Sequence, residues 1–154
     1  VNYDFVTDRL AIGTTPDSIA DLNPFTHVIN CRAELDIAPM LANSRFDGRY
    51  LWAPTEDWIP FTDTHKPPAW FKPGVEFGLQ TLSRPQTRLY VFCHAGANRS
   101  ATMAWAILRA FGMTEAECFS IIDSHRLIDI PGLLETGWWR DANSALISFG
   151  YIQR

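Results

Sequence analysis

The sequence predicts an α/β domain, with a small central mixed sheet of about five strands flanked by helices and a catalytic loop between a central strand and a helix. Three observations predict it. Short apolar runs of the buried-strand kind come early in the chain. Apolar residues at helical spacing dominate the later part. Between them, "LYVFCHAGANRSATMAWAIL", Leu89 to Leu108, passes from strand pattern to helix pattern through a short loop that contains Gly96.

Each element follows from its residues. "NYDFV" and "RLAIG" read as two short strands divided by a turn at Thr7 and Asp8. "TPDSIADL" reads as a short helix with Thr15 as N-cap and Pro16 at the first helical position, where a missing N–H costs little. "FTHVINC" is a buried-strand run, and "RYLWA" a further strand that Pro54 ends. "PTEDWIPFTDTHKPP" then spans 15 residues with four prolines and little periodicity, and a loop of that length inside a compact domain is usually functional or a surface excursion. Phe71, Val75, Leu79 and Leu82 recur at helical spacing, which places Pro73 near that helix's start. "RLYVFC" is the clearest buried strand. Ala104, Ile107, Leu108 and Phe111 mark one face of the next helix, which Gly112 closes. Thr114 with Glu117 is a capping-box signature for a helix over "TEAECFSIIDSHR". Trp138, Ala142, Ala145 and Phe149 stripe the last helix, where Trp138 and Trp139 are expected to serve packing.

With 154 residues the chain is expected to form a single domain over 1–154, large enough to bury a core without staples. A net charge of -4 argues against a nucleic-acid backbone as partner. Cys31, Cys93 and Cys118 are an odd number at irregular spacing, which is no disulfide framework, and no C-x-x-C pair suggests zinc. No apolar run approaches the ~20 residues of a membrane span. A soluble, cytoplasmic, monomeric protein that needs no metal or cofactor is the expectation.

The chemistry lies in "CHAGANRS". A thiol is followed by a flexible loop, and then Arg99 and Ser100 open a helix. Backbone N–H groups of such a loop converge as an anion nest, and the helix N-terminus adds its positive dipole end. That setting suits a tetrahedral phosphate, and helix N-termini and nearby cations also favour a thiolate. Arg99 offers a planar fork for phosphate oxygens that lysine lacks, and Ser100 is placed to donate to sulfur as it leaves a covalent intermediate. The competing view, Cys93 as an inert core residue, does not account for Gly96, Arg99 and Ser100 together.

The C-x(5)-R spacing with Gly third after Cys, between a strand and a helix, resembles the signature loop HCxxGxxR[ST] of the cysteine-dependent protein tyrosine phosphatase superfamily. The ending "RSAT" is similar to its dual-specificity branch. One position departs: Phe92 stands where the family usually has the histidine that orients the loop and tunes the thiol. The resemblance implies Cys93 as nucleophile, phosphate held by Arg99 and the loop residues His94, Ala95, Gly96, Ala97 and Asn98, and Ser100 as helper. It also implies a general acid on the loop after a strand in the form "P-x-x-D". "APTEDW" has that form, so the role falls on Asp57, with Asp63 in reserve and Glu56 third; the alternative is that all three are solvated loop carboxylates. "VTDRLAIGTTPDSIADL" and "FTHVINCRAELD" are similar to the family's opening strands and first helix, and "HRLIDIPG" loosely to the segment before its last helix. Some members shelter an oxidised nucleophile in a disulfide with a cysteine on the segment that here carries Cys31; the alternative for Cys31, and the expectation for Cys118, is a plain buried thiol.

Other residues carry two readings each. Arg32 adds charge near the pocket or makes a surface salt bridge. His94 walls the site or carries a proton, and Trp58 lines a cleft or anchors its loop. His65, Trp70 and Phe71 are expected to close that loop. The resemblance implies hydrolysis of phosphotyrosine, and of phosphoserine or phosphothreonine, in protein or peptide substrates. A second possibility within the superfamily is another phosphoester: an inositide lipid, a nucleotide or an RNA 5′ end. A sulfurtransferase of the rhodanese type would not need Asp57, and a phosphate-binding module with a dead site would not need Cys93, Arg99 and Asp57 together.

Overall fold

The protein is described here by a computed structural model covering residues 1–57, 65–128, 133 and 136–153. One mixed sheet holds five strands: β1 (Tyr3–Phe5), β2 (Leu10–Gly13), β3 (His27–Arg32), β4 (Arg49–Thr55) and β5 (Leu89–Phe92). Their order is β1-β2-β5-β3-β4. The β1–β2 hairpin is antiparallel, and β2, β5, β3 and β4 run parallel. β5 therefore sits in the centre, buried at every residue, which is why it reads as a continuous apolar run rather than an alternating one.

Side chains alternate across that sheet and split the core in two. Leu89, Val91 and Cys93 join Ile29, Cys31 and Met103 on one face. Tyr90 and Phe92 join Leu22, Phe25, Val28 and Ile37 on the other. There Tyr90 stacks on Phe25 at 4.7 Å and on Phe92 at 5.6 Å. Among the described residues the helices are α1 (Ala38–Ala42), α2 (Pro68–Leu82), α3 (Arg99–Phe111), α4 (Glu115–His125) and α5 (Trp138–Ser148). Every residue of α3 from Arg99 to Leu108 is buried, because the helix lies between the sheet and α2, α4 and α5. Gly112 closes it with φ 120°, and the Thr114–Glu117 capping box forms in full. Trp138 and Trp139 are core residues, Trp139 stacked on Trp105 at 5.4 Å.

Three details differ from the sequence expectations. The early helix is a short 3-10 turn over Ile19–Leu22 capped by Ser18, and Thr15 is not its cap. Pro54 does not end β4, which runs on to Thr55; β4 is an edge strand, where a missing N–H on the open side removes no ladder bond. Pro73 lies inside α2 rather than at its first turn, and the carbonyl it leaves without a helical partner belongs to exposed Ala69. Among the described residues no helix is long and apolar enough to cross a membrane.

Candidate active site

Cys93 follows directly on the central strand, with its sulfur side turned towards α3. Its N–H donates to the Gly13 carbonyl at 3.3 Å, and its own carbonyl accepts from the Thr15 hydroxyl at 3.2 Å. Thr15 in turn accepts from Arg32 at 2.9 Å. The loop then turns at Gly96, whose φ is +67°. A Cβ there would fall 2.5 Å from the Gly13 carbonyl carbon and 2.5 Å from Arg126 Nη2, so both conformation and space require glycine.

Arg126, buried at the C-terminal end of α4, braces the loop from behind. Its Nε donates to the Gly96 carbonyl at 2.7 Å and its Nη2 to the Ala95 carbonyl at 3.3 Å. Asn2 and Asp4 hold its Nη1 at 2.7 and 2.8 Å. In a trans peptide the N–H points opposite to the preceding carbonyl. Pulling the carbonyls of Ala95 and Gly96 towards Arg126 thus turns the N–H groups of Gly96 and Ala97 to the other side, into the loop. The first N–H groups of α3 lack intrahelical acceptors and add to that nest. At its floor Cys93 Sγ lies 3.2 Å from Ser100 Oγ.

Arg99 is 2% exposed, and among the described residues three of its five N–H donors have partners. Nη1 donates to Glu34 Oε2 and to the Thr55 carbonyl, both at 2.9 Å, and Nη2 to Glu34 Oε1 at 2.9 Å. Nε has no hydrogen-bond partner among the described residues. What is left is Nε–H with one Nη2–H, and these two share one edge of the guanidinium. That edge is a fork for two oxygens of a phosphate. Glu34 in return is held down to about 2, by the hydrogen bonds of Arg99 first and of Arg32 after the cost of burial. Burial works against the charge on Arg99, and Glu34, Cys93 and Asp57 outweigh it, so its proton is held more tightly than usual.

Asp57 closes the site from the other side, with Oδ2 4.0 Å from Arg99 Nε. Ala33, Glu34, Glu56 and Asp57 line a cleft of about 380 Å³. The expected Cys93, Arg99, Ser100 and Asp57 are thereby brought together. His94 and Ala95 are exposed on the rim, and the Asn98 Oδ1 is buried without a hydrogen-bond partner among the described residues. Cys31 lies on β3, where Asn30 pairs with Phe92, so the next residues, Cys31 and Cys93, are neighbours in one core cluster. Burial pushes the Cys31 thiol well up, with Cys93 adding to it. Arg32 makes a salt bridge to Glu34 at 2.7 Å and also reaches Thr15, so it serves the pocket's frame. Asp63 and Trp58 lie outside the described residues. His65 is drawn to Asp141 at 3.2 Å, and Trp70 donates to the Ala53 carbonyl at 2.8 Å.

Phe92, the position that departs from the signature, packs at 0% exposure among aromatic rings on the face away from sulfur. Thr15, Glu34, Lys66 and Arg126 were not legible as site residues. Thr15, Glu34 and Arg126 lay in segments with only a loose resemblance, "VTDRLAIGTTPDSIADL", "FTHVINCRAELD" and "HRLIDIPG", and Lys66 in the long loop after β4, and none of these signals singled out the residue.

The family model for the dual specificity phosphatase catalytic domain matches residues 11–134. The chain belongs to the dual-specificity phosphatases. Solved structures share the fold. A mouse putative dual specificity phosphatase complexed with zinc tungstate is 21% identical, covers 99% of this chain and 92% of its own, and has a TM-score of 0.72. Human DUSP28 is 18% identical, with 96% and 95% covered and a TM-score of 0.70. PTPMT1 in complex with PI(5)P is 20% identical, with 96% and 98% covered and a TM-score of 0.68. As a dual-specificity phosphatase the protein is a cysteine-dependent phosphoric monoester hydrolase.

Proposed function

We propose that this phosphatase hydrolyses phosphotyrosine, and phosphoserine or phosphothreonine, in proteins through a cysteinyl-phosphate intermediate. The observation that carries it is the Nε–Nη2 edge of Arg99, which donates to no described residue and faces the Asp57 carboxylate at 4.0 Å. In the first step the Cys93 thiolate attacks phosphorus in line while Arg99 and the loop amides of residues 94–99 hold the equatorial oxygens. Asp57 gives its proton to the leaving oxygen. In the second step Asp57 takes a proton from water as it attacks phosphorus, and Ser100 donates to the departing sulfur. The positive field comes from Arg99 and the backbone.

The choice of a protein substrate rests on the rim. Glu56 and Asp57 line the adjoining cleft beside a Glu34 that Arg99 and Arg32 already pair, and the exposed loop positions His94 and Ala95 bring no lysine or arginine. A substrate with one phosphate suits that charge better than one with several. A second reading, a phosphoinositide with a single ring phosphate, is prompted by the PTPMT1 complex with PI(5)P. We assign Cys31 a protective role beside the reaction. Peroxide converts the Cys93 thiolate to a sulfenic acid, and the Cys31 thiol then attacks that sulfur, forming the disulfide and releasing water.

Turnover on a panel of phosphotyrosine, phosphoserine and phosphothreonine peptides and of phosphoinositides tests the substrate. Peptide turnover above lipid turnover is expected, and the reverse order replaces the protein reading with the lipid one. Cys93→Ser is expected to lower turnover by about 10⁴-fold or more while orthovanadate still binds. Near-normal turnover in that variant would overturn the mechanism.

A further inference from the structure

Lys66 is a buried amine that the reaction as described does not use. It is 5% exposed, and its Nζ stands 4.2 Å from the Trp138 ring centroid and 5.8 Å from that of Trp70. Burial first, and Arg99 second, push its pKa down to about 8, while Asp57, Cys31 and Glu56 resist. It still carries its proton at neutral pH, so a charge is kept in an apolar box at a cost that solvation would have spared. Its hydrogen bond accounts for the arrangement: Nζ donates to the Glu56 carbonyl, one residue before Asp57.

We propose that Lys66 is a positioning residue for the general acid, fixing the direction in which the Asp57 carboxylate enters the site. The inference rests on the assignment of Asp57 as acid. β4 is an edge strand, and three carbonyls at or just beyond its end accept from side chains of the pocket wall, that of Thr55 also from the Ala33 N–H at 3.2 Å. Trp70 takes the Ala53 carbonyl at 2.8 Å, Arg99 takes that of Thr55 at 2.9 Å, and Lys66 takes that of Glu56. The last two are buried cations on successive peptide planes, and Asp57 is the next residue. Lys66 is itself anchored, since its backbone N–H donates to Asp141 on α5 at 2.9 Å and its amine rests on Trp138 of the same helix. Removing the amine releases the peptide plane that aims Asp57, and a misplacement of about 1 Å in a catalytic group costs up to ~10²-fold.

A residue that acts through the acid has a kinetic signature that a merely structural one lacks. Proton donation matters most for poor leaving groups, so turnover is to be measured on aryl phosphates of rising leaving-group pKa. Lys66→Met is expected to lose about 10-fold or more on phenyl phosphate but under about twofold on an aryl phosphate with a strongly acidic phenol, with Lys66→Arg recovering part of the loss. In an Asp57→Asn background, which alone is expected to lose about 10²–10⁴-fold on the poor leaving group, Lys66→Met should add nothing. The ratio between two substrates within one variant does not depend on the folded fraction, and Lys66→Gln carries the same comparison if Lys66→Met does not fold. A uniform loss across the series, or a full additional loss in the Asp57→Asn background, overturns the proposal alone. Absence of leaving-group dependence in Asp57→Asn itself removes the acid assignment, and the role of Lys66 with it.

Discussion

Arg99 and Asp57 face each other at 4.0 Å across the pocket, yet Arg99 is 2% exposed and Asp57 45%. The cradle is held from every side. Glu34 and the Thr55 carbonyl fix the guanidinium, Arg126 fixes the loop carbonyls, and Thr15 and Gly13 fix the two ends of the Cys93 backbone unit. Asp57, the proposed acid, approaches from the end of an edge strand, and its immediate backbone is tied through the carbonyls of Thr55 and Glu56. The contrast matches the work of each side. A phosphate nest must be preformed, because donors that reorganise at the moment of reaction stabilise little. An acid must deliver a proton to one oxygen and take one from water in the next step, which a partly exposed carboxylate does without large rearrangement.

The largest effect is expected where the cradle is broken at Arg99. Arg99→Lys keeps the charge but not the fork, so a single ammonium nitrogen replaces the planar guanidinium that spans Glu34, the Thr55 carbonyl and the phosphate site. Turnover is expected to fall about 10²–10³-fold at saturating substrate. A loss under about threefold would mean that charge alone is required, and the distinction between a rigid cradle and a looser acid side would lose its basis.

Arg126→Met should have a smaller effect, because it removes the brace and no group that touches phosphate. Loss of two hydrogen bonds to loop carbonyls frees the N–H groups of Gly96 and Ala97 to turn. A fall of about 10-fold in kcat/KM is expected, together with weaker orthovanadate binding. Unchanged vanadate affinity would show that the nest holds its shape without Arg126.

The two sides also differ in how legible they were. Cys93, Gly96, Arg99 and Ser100 lie within eight consecutive residues, so their spacing, with the strand before and the helix after, carried the expectation. Asp57 was singled out through the "P-x-x-D" form after a strand, as the family resemblance implies. What supports these groups arrives through tertiary contacts between distant segments: Glu34 from beyond β3, Arg126 from the end of α4, Lys66 from just before α2. No local periodicity records such meetings. Thr15 shows how a correct local rule misleads. Thr before Pro is a good helix start, yet its hydroxyl donates to the Cys93 carbonyl, because the β2 end lies beside the β5 end in the sheet. Pro54 misled for a similar reason. Its tolerance depends on β4 being an edge strand, and the strand order follows from pairing across the sheet rather than from "RYLWA" itself.

The smallest effect separates charge from shape in the cradle. Glu34 is held down to about 2 from an ordinary 4.5 by Arg99 and Arg32, so its ionised form is favoured by the folded state. The stability it contributes is fully present above about pH 4.5 and is lost as pH falls through about 2. Glu34→Gln keeps an acceptor for Arg99 but not the charge. Denaturant unfolding should therefore show the parent more stable than the variant at neutral pH, with the gap closing between about pH 4.5 and pH 2. The gap itself should be small, since the Glu34 side chain is 45% exposed and water screens the pair. A gap that persists unchanged to about pH 2 would assign Glu34 a purely geometric role, and the rigidity of the cradle would then rest on its hydrogen bonds rather than on the ion pair.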